Sequence, residues 1–162
     1  RRPAAAARRA RAESEDMVTA IFDYLGGRKV FRSAVVKNRS DVHDLILRGL
    51  PAAALGHVVD AAEVLLPQEV SDAVGVSLRT VHRRRDAPRR PLSREQSDRA
   101  WQFAELMVSA IGIFGSQEEA ERWFRLPAMA LDQKRPLDLV TSSIGARMVE
   151  QLLIRIEHGV YT

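Results

Sequence analysis

The sequence predicts an all-α protein, and three observations carry that expectation. Only 9 Gly and 7 Pro punctuate 162 residues, and β-branched residues rarely run together. Apolar residues return at spacings of three and four, the period of an amphipathic helix. Two serines, Ser93 and Ser116, stand three residues ahead of Gln96 and Glu119, the pattern that opens helices by reciprocal capping.

The elements follow in order. Arg1–Asp16 is Ala/Arg-rich without a sustained apolar face and reads as a mobile basic tail, with no apolar stretch long enough for a secretory signal. Met17–Leu25 is a short helix stopped by Gly26-Gly27. The run Gly26-Gly27-Arg28-Lys29 lacks the Walker spacing and a preceding strand, so it is not a phosphate loop. Val30–Lys37 reads equally as strand or loop. Ser40 caps Asp41–Arg48, whose stripe is Val42, Leu45 and Ile46. Pro51 opens a helix running to about Val64 and burying Leu55, Val58, Val59 and Ala62. Pro67 starts a helix to Val74, Gly75 stops it, and Ser77 caps Leu78–Asp86. Pro88 and Pro91 break the chain before Arg94–Ile113, with Trp101, Ala104, Val108 and Ile111 inward. Gln117–Arg125 turns Ala120, Trp123 and Phe124 inward, and Pro127 ends it. Pro136 starts a short helix to Val140. Ser142 or Ser143 caps Ile144–Glu157, with the stripe Ile144, Met148, Val149, Leu152 and Ile156.

Composition limits the chemistry. With 46% hydrophobic and 28% charged residues, the chain suits one core of about 150 residues or two small lobes. It has no cysteine, which excludes disulfides and thiolate zinc sites. No stretch of about 18 apolar residues suggests a membrane span, and the expected location is the cytoplasm.

Charge is concentrated. Residues 79–99 hold eight Arg and three acids, +5, against +4 for the whole chain. A local block of Arg is an electrostatic footprint for a polyanion. The same block lies in LPQEVSDAVGVSLRTVHRRR, Leu66–Arg85. There two helices meet through Gly75-Val76-Ser77, the tight turn of a helix-turn-helix. Val70, Val74, Val76 and Val81 fill its apolar slots, and small Ser71 lets the helices approach. The second helix then turns cations outward. Arg79, Thr80 and Arg83 are the expected readers of base edges, Arg being suited to guanine. His82 faces the duplex or solvent. Ser77 and the helix start can hold a phosphate. Arg84 and Arg85, with Arg89 and Arg90, are expected on phosphates. Such readers usually bind as dimers on repeated half-sites, and the apolar C-terminal half is the expected source of the dimer contact.

No catalytic or metal constellation emerges. His43, His57, His82 and His158 never pair at helical spacing, no serine sits in a nucleophile elbow, and Glu118, Glu119 and Glu121 read as helix-dipole placement. The expectation is a non-enzyme with no cofactor and no metal.

Two blocks carry a resemblance. The first is GLPAAALGHVV followed by LPQEVSDAVGVSLRTVHRRR. The second joins Trp123–Pro127, Ala130-Leu131, Lys134–Leu139, Gly145–Glu150, Leu153 and Arg155–Tyr161. Across residues 40–162 the chain resembles the Xre/MbcA/ParS antitoxins, partners of RES-domain toxins. It departs from the family at Leu126–Leu131, where an Asn-Pro start is usual. The resemblance implies a helix-turn-helix (Xre-like) domain followed by a small helical toxin-binding domain, forming a homodimeric antitoxin of a type II pair. Its N-terminal part would bind operator double-stranded DNA and repress its own operon. Its C-terminal part would cover the active site of a RES toxin that degrades NAD or transfers ADP-ribose.

The expected division is a disordered tail at 1–16, a DNA-binding domain at 17–92, and a dimerisation and toxin-binding domain at 93–162. Expected toxin contacts are Arg135, Asp138, Arg147, Glu150, Ile154, Arg155, Glu157, His158, Val160 and Tyr161. Mixed charge there would orient a partner, and Ile154, Val160 and Tyr161 would anchor it. Two other readings stand beside this one: a free-standing transcriptional regulator, and an interaction adaptor whose helix-turn-helix no longer binds DNA.

Overall fold

The chain's structure, a computed structural model, describes residues 2–160, with side chains from Pro3 onward. Among them the helices are α1 (Arg2–Tyr24), α2 (Gly27–Phe31), α3 (Arg39–Arg48), α4 (Ala53–Ala61), α5 (Pro67–Val74), α6 (Leu78–Arg83), α7 (Arg94–Phe114), α8 (Gln117–Arg125), α9 (Pro136–Leu139) and α10 (Ser143–Glu157). Short 3-10 turns occupy Arg84–Asp86 and Met129–Leu131. Sheet-like pairing among the described residues is limited to the isolated bridges Pro51–Pro91 and Ala128–Lys134. The all-α expectation holds.

The long α7 is the axis of the molecule. It packs against α1, α3, α5, α8 and α10. Its Phe103, Ala104, Met107 and Ala110 are buried, and they join Leu50, Val70, Phe124, Leu131, Val149 and Leu153 in one continuous apolar cluster. Each of these side chains larger than alanine contributes about 1.5–3 kcal/mol of burial. Ser93 starts α7 by the reciprocal cap that the sequence announces: its hydroxyl accepts from the Gln96 N–H, and its own N–H donates to the Gln96 side chain. The domain division expected near residue 92 falls one residue before this shared helix.

Four local readings differ from the structure. The tail expected at 1–16 is helical from Arg2 onward, as one helix continuous with Met17–Tyr24. Ala and Arg are strong helix formers, and Val18 and Ile21, both buried, anchor the far end so that the rest extends an existing helix. Helix α3 is capped by Asn38, not Ser40, because the Asn38 side chain accepts from the Asp41 N–H. Pro51 does not open α4. The segment Pro88–Leu92 lies along Leu50–Ala53, with the N–H groups of Ala52 and Ala53 donating to Arg90 and Pro88 and that of Leu92 donating to Leu50. That approach requires Gly49, where a Cβ would meet the Leu92 carbonyl oxygen at 2.3 Å. Ile144, expected in the core stripe of α10, is 75% exposed, while Leu153 is buried in that stripe. The undecided stretch Val30–Lys37 begins as the end of α2 and continues as turn and coil.

Candidate nucleic-acid interface and partner surface

The helix-turn-helix is assembled by short-range chemistry. At the start of α5 the Glu69 carboxylate accepts from the Leu66 N–H. At its end Gly75 takes φ +72°, the left-handed conformation that closes the helix. Arg99 of α7 lies over this turn and donates to the Ala73 carbonyl at 3.3 Å, a cation at a helix C-terminus. Buried Ser71 donates to the Val76 carbonyl, which locks the turn. Val70, Val74, Val76 and Val81 are all buried, so the four apolar slots are filled as expected.

The second helix, α6, is thereby fixed in orientation. The Ser77 hydroxyl accepts from the Thr80 N–H and donates to the Thr80 hydroxyl. Both groups are therefore engaged in capping, and Thr80 is half-buried. Arg79, His82 and Arg83 are exposed on the outward side. Arg84 and Arg85 stand differently from the expectation of free phosphate contacts. Arg84 donates to the Pro91 carbonyl at 3.1 Å. Arg85 forms a two-bond fork with Asp60 of α4, at 3.0 and 2.9 Å. That fork holds the Asp60 carboxyl below its ordinary range, helped by the charges of Arg85, His57 and His82. Arg89 and Arg90 are exposed.

On α10 the outward side is mixed in character. Ile144, Arg147, Gln151, Ile154 and His158 recur at three- and four-residue spacing, and all are exposed. Ile154 is 49% and Val160 47% exposed, although both are apolar. Glu150 and Glu157 are exposed on one flank, and Arg155 is half-buried. His158 Nδ1 lies 3.1 Å from the Ile154 carbonyl oxygen at the end of the helix. Tyr161 lies outside the described residues. Arg135 and Asp138 are paired with each other at 2.9 and 2.8 Å. Arg135 also lies 3.7 Å from Glu69, which Arg125 of α8 approaches at 3.3 Å. This cluster ties the start of the helix-turn-helix to the C-terminal half.

The sequence reading missed two residues. Ile144 was assigned to the core, although the spacing 144/147/151/154/158 would have placed it outward. Glu121 was assigned to dipole placement. It is 1% exposed, and its carboxylate accepts from the N–H groups of Glu63, Val64 and Leu65 at 2.8–3.1 Å and from Gln117 Nε2 at 2.8 Å. Gln117 donates as well to the Ala61 carbonyl. The α8 side chains thus satisfy the backbone of the loop between α4 and α5. Burial, and then the nearby Glu121 charge, push the Tyr24 phenol above its ordinary range.

An exposed cationic helix in a helix-turn-helix frame, joined through α7 to a second unit with an apolar-and-charged outward face, defines a two-surface binding protein. Comparisons with known proteins agree. Residues 41–105 match the family described as the antitoxin Xre-like helix-turn-helix domain. Residues 109–159 match the antitoxin Xre/MbcA/ParS C-terminal toxin-binding domain. The chain is 29% identical to Antitoxin Xre of Pseudomonas putida strain KT2440, covering 74% of this chain and 72% of that protein. It is 33% identical to Antitoxin Xre of Yersinia enterocolitica, covering 58% of this chain and 64%, less than two thirds, of that protein. It is 31% identical to the Prs ADP-ribosylating antitoxin of Sphingobium sp. strain YBL2, covering 72% of this chain and 78% of that protein. The chain belongs to the Xre/MbcA/ParS family of antitoxins, with a toxin-binding domain at its C-terminal end, and is not an enzyme.

Proposed function

We propose that the protein neutralises a RES-type toxin, one that consumes NAD or transfers ADP-ribose, by covering its active site, and that it represses its own operon as a homodimer on operator DNA. The observation that carries this reading is the contrast between two outward faces. On α6, Arg79, His82 and Arg83 point away from a frame fixed by Ser77 and Val81. On α10, Ile144 and Ile154 share the exposed side with Arg147, Glu150 and His158. A cationic helix set off by a tight turn suits the major groove. Apolar anchors inside a charged rim suit a protein partner.

Within this reading Arg79 and Arg83 contact bases, and His82, Arg89 and Arg90 approach phosphates. Arg84 and Arg85 brace α6 through Pro91 and Asp60. Arg147, Glu150, Ile154, Arg155, Glu157, His158, Val160 and Tyr161, joined by Ile144, meet the toxin, while the Arg135–Asp138 pair holds the surface behind them. The relative named as a Prs ADP-ribosylating antitoxin supports a toxin of ADP-ribosyl chemistry.

The test is co-expression with the neighbouring open reading frame, scored for a stable complex and for rescue of growth, beside a gel shift on the operon's upstream DNA. Rescue with a specific shift is expected. A specific shift without complex or rescue leaves a free-standing regulator, and complex without a shift leaves an adaptor.

A further inference from the structure

Among the described residues, none buries the first half of α1. Every residue from Pro3 to Glu13 is exposed, and burial begins farther along, partial at Ser14 and complete at Val18 and Ile21. A helical segment of this length, about 16 Å, is marginal in water when nothing packs on it.

Its sequence carries an unusual symmetry. Taken about Ala12, the charges invert: Arg11 mirrors Glu13, Arg9 mirrors Glu15, and Arg8 mirrors Asp16. Ala10 mirrors Ser14, so small residues mirror small residues. At about 100° per residue, Ala5, Arg8, Arg9, Ala12, Glu15, Asp16 and Thr19 share one face, opposite the face that carries Val18 and Ile21. On that face Glu15 is partly buried and the other six residues are exposed.

The geometry points to α1 as a docking surface for a second copy of this chain. The two α1 helices lie antiparallel with the two-fold axis at Ala12. A two-fold interface uses one patch twice and must be complementary to itself, and a charge pattern inverted about its own centre meets that requirement. With the axis at Ala12, Arg8 and Arg9 stand about 6 and 4.5 Å along the helix from the centre. There they are level with Asp16 and Glu15 of the other copy. Arg8 meets Glu15 on one flank of the seam and Arg9 meets Asp16 on the other. Ala5, Ala12 and Thr19 let the backbones approach between them. Within one chain the Glu15 carboxylate accepts from Arg11 at 3.1 Å, and the Glu15 carbonyl accepts from the Thr19 hydroxyl at 3.0 Å. The proposal deepens the dimeric part of the function above and moves the dimer contact from the C-terminal half to α1. It rests on that reading only for what the dimer is used for.

The experiment measures the mass of the full chain, without DNA or toxin, by sedimentation equilibrium. About twice the 18.1 kDa of one chain is expected at low salt. At about 1 M salt, where the Debye length falls to about 3 Å, dissociation is expected. Arg8→Glu with Arg9→Glu sets acids against acids, and Glu15→Arg with Asp16→Arg sets bases against bases. Each double variant is expected to raise the dissociation constant by at least about tenfold, with helix content by circular dichroism confirming that α1 is intact. Mixing the two variants restores opposite charges on both flanks, and a heterodimer at least as tight as the native dimer is expected. A native chain that stays monomeric at submillimolar concentration overturns the proposal, as does a dimer indifferent to both double variants. A mixture that fails to pair, with both helices intact, also overturns it. A dimer that ignores the α1 charges leaves the repressor reading standing and removes only the α1 seam.

Discussion

The outward faces of α6 and α10 both wait for a partner, and they are built on opposite terms. Helix α6 has six residues, Leu78–Arg83, and a single buried side chain, Val81. Its rigidity is borrowed from the Ser77 cap, the Gly75 turn and the Arg85–Asp60 fork. Its exposed side offers cations and no large apolar group. Helix α10 has fifteen residues and buries Val149, Leu152 and Leu153 on its own account. Its exposed side alternates Ile144 and Ile154 with Arg147 and His158. A polyanion is bound through charge that need not be dehydrated, so a DNA-facing surface can be short and wholly polar. A protein partner is held by apolar anchors that must be dehydrated, with charge confined to the rim.

The change that most severely tests this separation is Glu121→Ala. It removes the shared acceptor of the Glu63, Val64 and Leu65 N–H groups, the last on a buried residue and the other two partly open to water. At about 1–3 kcal/mol for the buried Leu65 group and less for the two that water can reach, the loss is expected to be about 2–4 kcal/mol in urea unfolding. Both binding activities should fall together. If one survives at native strength, the two faces are less coupled than the shared loop implies.

Ile144→Asp combined with Ile154→Asp is next. These exposed positions should leave the thermal midpoint unchanged, while toxin affinity drops by about 2–4 kcal/mol in calorimetric titration. Operator binding should not move. A parallel loss of operator affinity would merge the two surfaces.

Arg83→Ala is expected to weaken specific operator binding by about 1–3 kcal/mol and to relax base preference at one position, with toxin affinity unchanged. A change confined to the slope of affinity against salt would place Arg83 on phosphate instead. The smallest effect belongs to Asp60→Asn, which releases the Arg85 guanidinium. The salt slope of non-specific DNA binding should then steepen by about 0.9, one added phosphate contact, as read by fluorescence anisotropy. The native pair responds to acid in the same sense. The Asp60 carboxyl lies below its unfolded value, so the stability it contributes is present at neutral pH and is lost as pH falls through the folded value.

What could be read in the sequence was local. The turn at Gly75, the caps at Ser77, Ser93, Ser116 and Ser142, and the four buried valines all depend on neighbours within a few residues. What escaped depends on distant partners. The acceptor role of Glu121 needs residues 63–65, and the Arg85 fork needs Asp60. The start of α4 needs Pro88–Leu92 folded back upon it. The opening of α1 is illegible for a different reason: it has no tertiary stripe, and its helicity comes from Ala and Arg propensity and an anchored far end.

The match to one family ends at residue 105 and the match to the other begins at residue 109, both inside α7, which runs unbroken from Arg94 to Phe114. The join between the helix-turn-helix domain and the toxin-binding domain is therefore a continuous helical rod. A clip anywhere in that rod would strip Phe103, Met107 and Ala110 from both sides at once. On the function proposed above, destroying such a molecule would release operator and toxin in a single event.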